Sequence, residues 1–195
     1  MKSFLSKMMM PYELALKNNL RDSYHWHQWI WKSFPDKPDA KRDFLFRLDI
    51  RNGIVQILLL SEQEPQPTNE WVWKTKSVSD GFLQHNVYRF QVKANPTFRR
   101  NADRRRIPLY QEDVLLAWFQ RKLEAIGCRP RALEVGQPQK EEFQKDGKRG
   151  YHNSVDANGI MEVADRNAFT TGFSQGIGPA KGFGFGLIML QSIDL

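Results

Sequence analysis

Cysteine is nearly missing from this chain. Cys128 is the single thiol among 195 residues, which excludes an internal disulfide and a cysteine-rich zinc site and suits a reducing compartment. Long apolar runs are missing too. No stretch approaches the roughly 18 residues of a membrane span. The methionine-rich start is broken by Lys7 and followed at once by Pro11 and Glu13, so no secretory apolar region of about 7–15 residues fits; residues 4–10 are expected to form a first strand. No acidic cluster or His/Cys set offers a metal site. No convincing helix-turn-helix, short-period repeat or low-complexity tract is present. Glycine is concentrated rather than scarce: Gly176, Gly178, Gly182, Gly184 and Gly186 fall within eleven positions. This is not a nucleotide loop, because no Gly-Lys is followed by Ser or Thr, and the stretch follows an expected helix and opens an expected strand. A helix cap, a turn and a tightly packed strand account for some of these glycines but not obviously for all.

What is present is a foldable, basic chain. Hydrophobic residues make up 41%, enough for a real core. Lys and Arg number 29 against 22 acids, a net charge of +7. That sign points to a polyanion, nucleic acid before an anionic membrane. The length allows one large domain or two small ones.

In chain order, residues 4–10 read as a strand, with helical segments at 12–19 and 21–34 stopped by Pro35 and Pro38. Residues 43–50 and 54–60 form a hairpin across Asn52-Gly53. A short strand is expected within 71–78 and another at 87–92. That order resembles a ferredoxin-like unit with its second helix reduced or missing. A second unit follows: an amphipathic helix at 112–126, a strand within 131–143, a turn at 145–149, strands at 151–155 and 159–163, a helix at 165–176 and a closing strand at 184–190. The expected class is α+β, with two sheet-plus-helix halves in tandem. Their expected bounds are 1–97 and 111–195, joined by a basic linker at 98–110.

Within 21–34, two of the four histidines and three of the six tryptophans fall together. Leu20, Tyr24, His27, Trp31 and Phe34 recur at one-face helical spacing. His27 is thus a group titrating near pH 6.5 within an apolar stripe; it reads either as a hydrogen-bonded core histidine or as an acid/base. Arg99, Arg100, Arg104, Arg105 and Arg106 lie in an expected loop or frayed helix end. They suit phosphates through bidentate contacts, or simply solvate a loop. Lys145, Lys148 and Arg149 project from an Asp-Gly turn, either as phosphate contacts or as an ordinary charged turn.

The segment Gly-Ile-Gly-Pro-Ala-Lys followed by Gly-Phe-Gly-Phe-Gly-Leu, residues 176–187, resembles the C-terminal glycine-rich motif of the repeat-associated (RAMP) CRISPR proteins. Tyr24-x-x-His27-Gln28-x-x-Trp31, Phe34-Pro35 and the run from Arg42 to Arg47 resemble the N-terminal half of the CasE family. So do Lys74-Thr75-Lys76, the stretch from Arg89-Phe90 to Asn95-Pro96, and Asp146-Gly147-Lys148. The resemblance runs from Phe4 to about Leu190. It implies two tandem ferredoxin-like (RRM-like) domains with an interdomain RNA-binding groove, in a prokaryotic, cytoplasmic endoribonuclease that cleaves repeat stem-loops of precursor CRISPR RNA without metal or cofactor. It also implies that the enzyme stays on its product as a subunit of the Cascade complex, and a monomeric free protein is expected. A non-catalytic RNA-binding subunit of that complex is the alternative, and Tyr24 and His27 argue against it. The region between Pro96 and Pro108 looks shorter than in relatives, with its charge condensed into the arginines. His25 stands beside the motif, not in it.

Chemistry of this class needs a base for the 2′-hydroxyl, an acid for the 5′ oxygen and a donor for charge developing on phosphorus. By resemblance His27 is the acid/base. Tyr24, one turn earlier, orients it or bonds the phosphate, and Lys32 is a candidate cation. The arginine cluster, the Lys145, Lys148 and Arg149 turn, and Lys181 with Gly178 of the glycine stretch are the candidate RNA contacts.

Overall fold

The structure is a computed structural model that describes residues 3–34, 43–67, 72–145 and 147–193. The expected stop at 35–38, Arg42, Trp71 and Asp146 of the Asp-Gly turn lie outside the described residues. Strand β1 (Phe4–Pro11) buries Ser6, Met8 and Met10 and turns Lys7 and Met9 outward, the period-two alternation of a half-covered strand. Pro11 leads directly into α1 (Tyr12–Lys17). Asp22 starts α2 (Ser23–Trp31) by accepting the N–H groups of Tyr24 and His25, each at 3.0 Å, which satisfies two donors the first turn leaves open. Strands β2 (Phe44–Arg51) and β3 (Ile54–Ser61) are joined by Asn52 and Gly53, both left-handed at φ 49° and 72°, as a two-residue hairpin turn requires. Strand β4 (Lys74–Ser77) pairs with β1. The antiparallel sheet order β2-β3-β1-β4 is ferredoxin-like, with no helix described between β3 and β4.

The second unit is a complete βαββαβ fold: β5 (Val87–Ala94), α3 (Glu112–Glu124), β8 (Cys128–Val135), β10 (Lys148–Val163), α4 (Arg166–Gln175) and β11 (Ile188–Ser192), in sheet order β11-β5-β10-β8. Two hairpin elements are inserted into it. Strands β6 (Thr97–Arg99) and β7 (Arg106–Pro108) pair with each other between β5 and α3, and β9 (Gln139–Lys145) pairs with the outer half of β10.

Several expectations are corrected here. Strand pairing starts the second unit at Val87, not beyond 97, because β5 bonds to β10 and β11 and to nothing in the first sheet. The expected linker 98–110 is therefore an excursion inside the second unit, in which two short strands flank the expected loop, residues 100–105. The single strand sought within 131–143 is two, β8 and β9, separated around Gly136. The pieces 151–155 and 159–163 are one 16-residue strand. The closing strand begins at Ile188, and the glycines before it form tight turns.

Helices α1 and α2 cover one face of the first sheet, where Trp26, Ile30 and Phe34 pack on Met8, Met10, Phe44, Phe46, Val55, Ile57 and Leu59. The buried face of α2 thus runs through Trp26 and Ile30; Tyr24, His27 and Trp31 lie on its half-buried flank, which corrects the stripe expected from spacing. On the opposite sheet face, Leu45 and Leu60 pack against Phe173 and Leu187 of the second unit. Beside them Arg47, only 2% exposed, holds Asp49 at 2.8 and 3.0 Å and reaches Asp156 of β10 at 2.9 Å. Burial opposes that charge, but Asp49 and Asp156 outweigh it and keep the guanidinium firmly protonated. Removing one partner of a buried pair strands the others. Arg47→Ala is expected to cost about 3 kcal/mol in urea unfolding, near the low end of that class because Asp156 is half exposed. Asp156→Asn should cost less, and equal losses would show that Asp49 contributes little.

Candidate active site

Three elements from distant parts of the chain meet at α2. The β9 strand and the short 3-10 turn Lys181–Phe183 both pack against it. One carboxylate joins α2 to β9. Besides capping α2, Asp22 accepts His25 Nδ1 at 2.7 Å through Oδ1 and the main-chain N–H of Gln144 at 2.8 Å through Oδ2. Burial works against the charged carboxylate, yet the bonds from Gln144 and His25 prevail and hold its pKa below the ordinary value. His25 is thereby given a place beside the helix N-terminus, in an ion pair with Asp22 when protonated. Neither Asp22 nor Gln144 was singled out from sequence: they are 122 residues apart, and no local pattern links them.

Tyr24 and His27 lie one turn apart on the accessible flank. The Tyr24 hydroxyl accepts from Gln28 Nε2 at 3.1 Å. The His27 ring packs 5.8 Å from both Trp31 and Phe44, centroid to centroid, so its plane is set by aromatic neighbours while the residue stays half-buried. Lys145 follows the bonded Gln144, and its Nζ stands 5.8 Å from the Tyr24 ring centre. Lys32 caps the C-terminus of α2 and is exposed. The structure thus brings Lys145, expected only as an RNA contact, to the Tyr24 side of the helix.

The hairpin is tied to the glycine-rich segment by aromatic packing. His152 stacks on Phe143 at 4.6 Å and 17°, and lies 4.7 Å from Phe183 and 5.4 Å from Phe185. Asn95 Nδ2 donates to His152 Nδ1 at 3.1 Å, which fixes a neutral ring protonated at Nε2. Desolvation pushes this histidine down to about 4, against a smaller opposing pull from Glu141. Lys181 sits half-buried in the turn carried by Phe183.

The glycines are largely a packing requirement. Gly186, at φ 87°, approaches so closely that a Cβ would stand 2.3 Å from the Ile177 carbonyl oxygen. Gly178, at φ 75°, faces Trp118 of α3, where a Cβ would come within 2.9 Å of the indole. That contact gives Gly178 a structural role distinct from the RNA contact expected of it. The arginine cluster lies at the exposed tip of the β6–β7 hairpin. Arg100 and Arg105 pair with Asp103 there, and Arg99 Nε donates to the Arg104 carbonyl at 3.1 Å. No described contact joins this tip to α2. Lys148 and Arg149 are exposed at the start of β10. Among the described residues no group of three or more His, Cys, Asp or Glu is placed to hold a metal ion, and no helix is long and apolar enough to cross a membrane.

A family model described as CRISPR associated protein matches residues 3–192. The chain belongs to this family. It is 36% identical to the CRISPR system Cascade subunit CasE of Escherichia coli, over 89% of this chain and 94% of that one. It is 24% identical to the CRISPR-associated endoribonuclease Cse3 of Thermus thermophilus, over 95% and 98%. Among solved structures, CRISPR endoribonuclease Cse3 bound to a 19-nucleotide RNA superposes with a TM-score of 0.86 at 23% identity, covering 97% of this chain and 99% of that one, which shows the shared fold.

The His152 environment has a measurable pH consequence. Its folded pKa lies below the ordinary histidine value, so the unfolded chain binds more protons between about pH 4 and 6.5. The stabilising effect is complete above pH 6.5 and is lost as pH falls toward 4. Urea unfolding of the wild type should therefore weaken across that window, and His152→Phe should flatten the slope. An unchanged slope would show that His152 is solvated.

Proposed function

We propose that this protein is the endoribonuclease that cleaves repeat stem-loops of precursor CRISPR RNA and then remains on the product within a Cascade complex, in the cytoplasm of a prokaryote. The observation that carries this is the convergence on α2 of Tyr24 and His27, a hairpin tip bearing cations and a glycine-rich turn bearing Lys181, in a chain whose relatives are a Cascade subunit and a CRISPR-associated endoribonuclease. The net charge of +7 fits an RNA partner.

RNA supplies its own nucleophile, the 2′-hydroxyl beside the scissile phosphate. His27 takes that proton or delivers one to the departing 5′ oxygen, the step in which an imidazole near neutrality is most effective. Tyr24 donates to the phosphate, and Lys145 takes the role of the cation that meets charge on the non-bridging oxygens, a reading its position beside the Tyr24 ring supports over Lys32 at the helix end. The products are a 2′,3′-cyclic phosphate, or its opened form, and a 5′-hydroxyl, and no metal-activated water enters. The paired stem hides its base edges in a deep groove, so recognition falls to shape and phosphate contacts. Lys145, Lys148 and Lys181 supply them near α2, Arg149 supplies one from the opposite face of the hairpin, and the arginine tip at 99, 100 and 104–106 supplies them further along the strand.

Incubation with a repeat stem-loop from the same genome, read on a denaturing gel, tests this. His27→Ala should lower the cleavage rate by about 10²–10⁴ while leaving affinity within a few-fold. An RNA carrying a single 2′-deoxy ribose 5′ of the cut should bind, resist cleavage and inhibit, and excess EDTA should change nothing. Cleavage of the deoxy RNA at the same bond would make water the nucleophile and overturn the roles of Tyr24 and His27. Lys145→Ala should slow cleavage more than Lys32→Ala; the reverse order would return the cationic role to the helix end.

A further inference from the structure

The outer hairpin has two faces, and the proposed reaction uses one of them. Cross-strand pairing sets Lys148 with Lys145, Gly150 with Phe143 and His152 with Glu141 on the side turned to Phe183 and α2. Arg149 with Gln144, Tyr151 with Glu142 and Asn153 with Lys140 alternate onto the other side. There Lys140 Nζ stands 5.1 Å from the centre of the Tyr151 ring and 2.7 Å from the Glu142 carboxylate. Tyr110 joins this face from the end of the β6–β7 excursion. Asn153 Nδ2 donates to the Leu109 carbonyl at 2.5 Å, and the Leu109 N–H donates to the Pro96 carbonyl at 3.1 Å, which pins the residue before Tyr110 to β10. Desolvation, then the adjacent Tyr151 hydroxyl, push the Tyr110 phenol upward. Both rings are open to solvent, Tyr110 by 56% and Tyr151 by 48%.

We propose that Tyr110 and Tyr151 form a stacking platform for an unpaired nucleobase of the RNA, on a strand entering or leaving the stem-loop. This rests on the RNA-processing function proposed above. The local chemistry selects a base over a phosphate. Lys140 and Glu142 neutralise each other beside the rings, so the patch itself offers flat aromatic surface without net charge. Phosphate contacts are available on either side: Arg149 two residues along the same face of β10, and the arginine tip on the same excursion that delivers Tyr110. Paired bases in the stem have their faces covered by their neighbours, whereas a flanking single strand presents them, and tyrosine takes any base because every base has a π face.

The test measures affinity of the full chain for two RNAs, a bare repeat stem-loop and the same stem-loop with several unpaired nucleotides on each side. The wild type should bind the extended RNA more tightly. Tyr110→Ala with Tyr151→Ala should lose roughly 5- to 150-fold per stacked base on the extended RNA, and nothing on the bare one. The double Phe variant should retain wild-type affinity, and cleavage at saturating RNA should persist throughout. Equal losses on both RNAs, or no loss on either, would overturn the platform while leaving the nuclease intact. Unchanged RNA affinity with lost assembly into the larger complex would assign the rings to a protein partner. A wild type that binds neither RNA would overturn the function itself, and the platform with it.

Discussion

Arg47 carries a charge almost sealed from water, on a strand of the first sheet, and answers to an aspartate on each side of the boundary between the two units. Asp49 holds that guanidinium from within the first sheet and Asp156 reaches it from the second, so the charge ties the two sheets together. The site depends on that relation. Helix α2 belongs to the first unit, whereas the hairpin and the glycine-rich turn that meet it belong to the second. The apolar contact of Leu45 and Leu60 with Phe173 and Leu187 lies beside it; being non-directional, it leaves the orientation to the charges.

Around α2 the same division recurs at smaller scale. Asp22 serves the helix with one oxygen and the hairpin with the other. His152 serves the hairpin and the glycine-rich turn by stacking, held neutral by the apolar rings around it. Phosphoryl transfer from RNA asks little covalent chemistry of a protein and much placement. Here placement comes from one carboxylate and one aromatic cluster. The carboxylate meets Tyr24 through its main-chain N–H, while the Tyr24 hydroxyl faces Gln28.

Much of the fold was legible in the sequence, because its signals are local. Asn52-Gly53 announced its hairpin, Pro11 closed the first strand, and the periodicity of residues 112–126 gave α3 its position. The errors share a cause: pairing partners are set by contacts far apart in sequence. The strand pattern at 87–92 was correct, but nothing local says that it pairs with β10 instead of the first sheet. The arginine loop was legible, but the strands that flank it were not, since exposed strands so short carry no alternation. In the candidate site, Tyr24 and His27 are proposed from the family pattern, and their flank was misread because Trp26 and Ile30 compete for the same helix. Gln144 and His152 carry no local signal, and Asp22 carries one only as a helix cap, not for its bond to Gln144. Gly178 was expected as an RNA contact, and nothing local pointed to its packing partner Trp118.

Strand β10 runs unbroken from Lys148 to Val163, and this gives the hairpin a phase inherited from the protein's interior. Its odd-numbered residues include Val155, Ala157 and Met161, all locked in the core, and beyond the sheet the same parity carries Tyr151 and Arg149. Its even-numbered residues include Asp156, which reaches Arg47, and then His152 and Lys148. Which cations look toward the helix and which look away is thus decided some 20–30 Å from the tip, at about 3.3 Å per residue. A one-residue slip between the core and residue 149 would leave the composition of the hairpin unchanged and exchange its two surfaces. A substitution at the tip therefore alters one contact, whereas a change in the number of residues that lead to it alters them all.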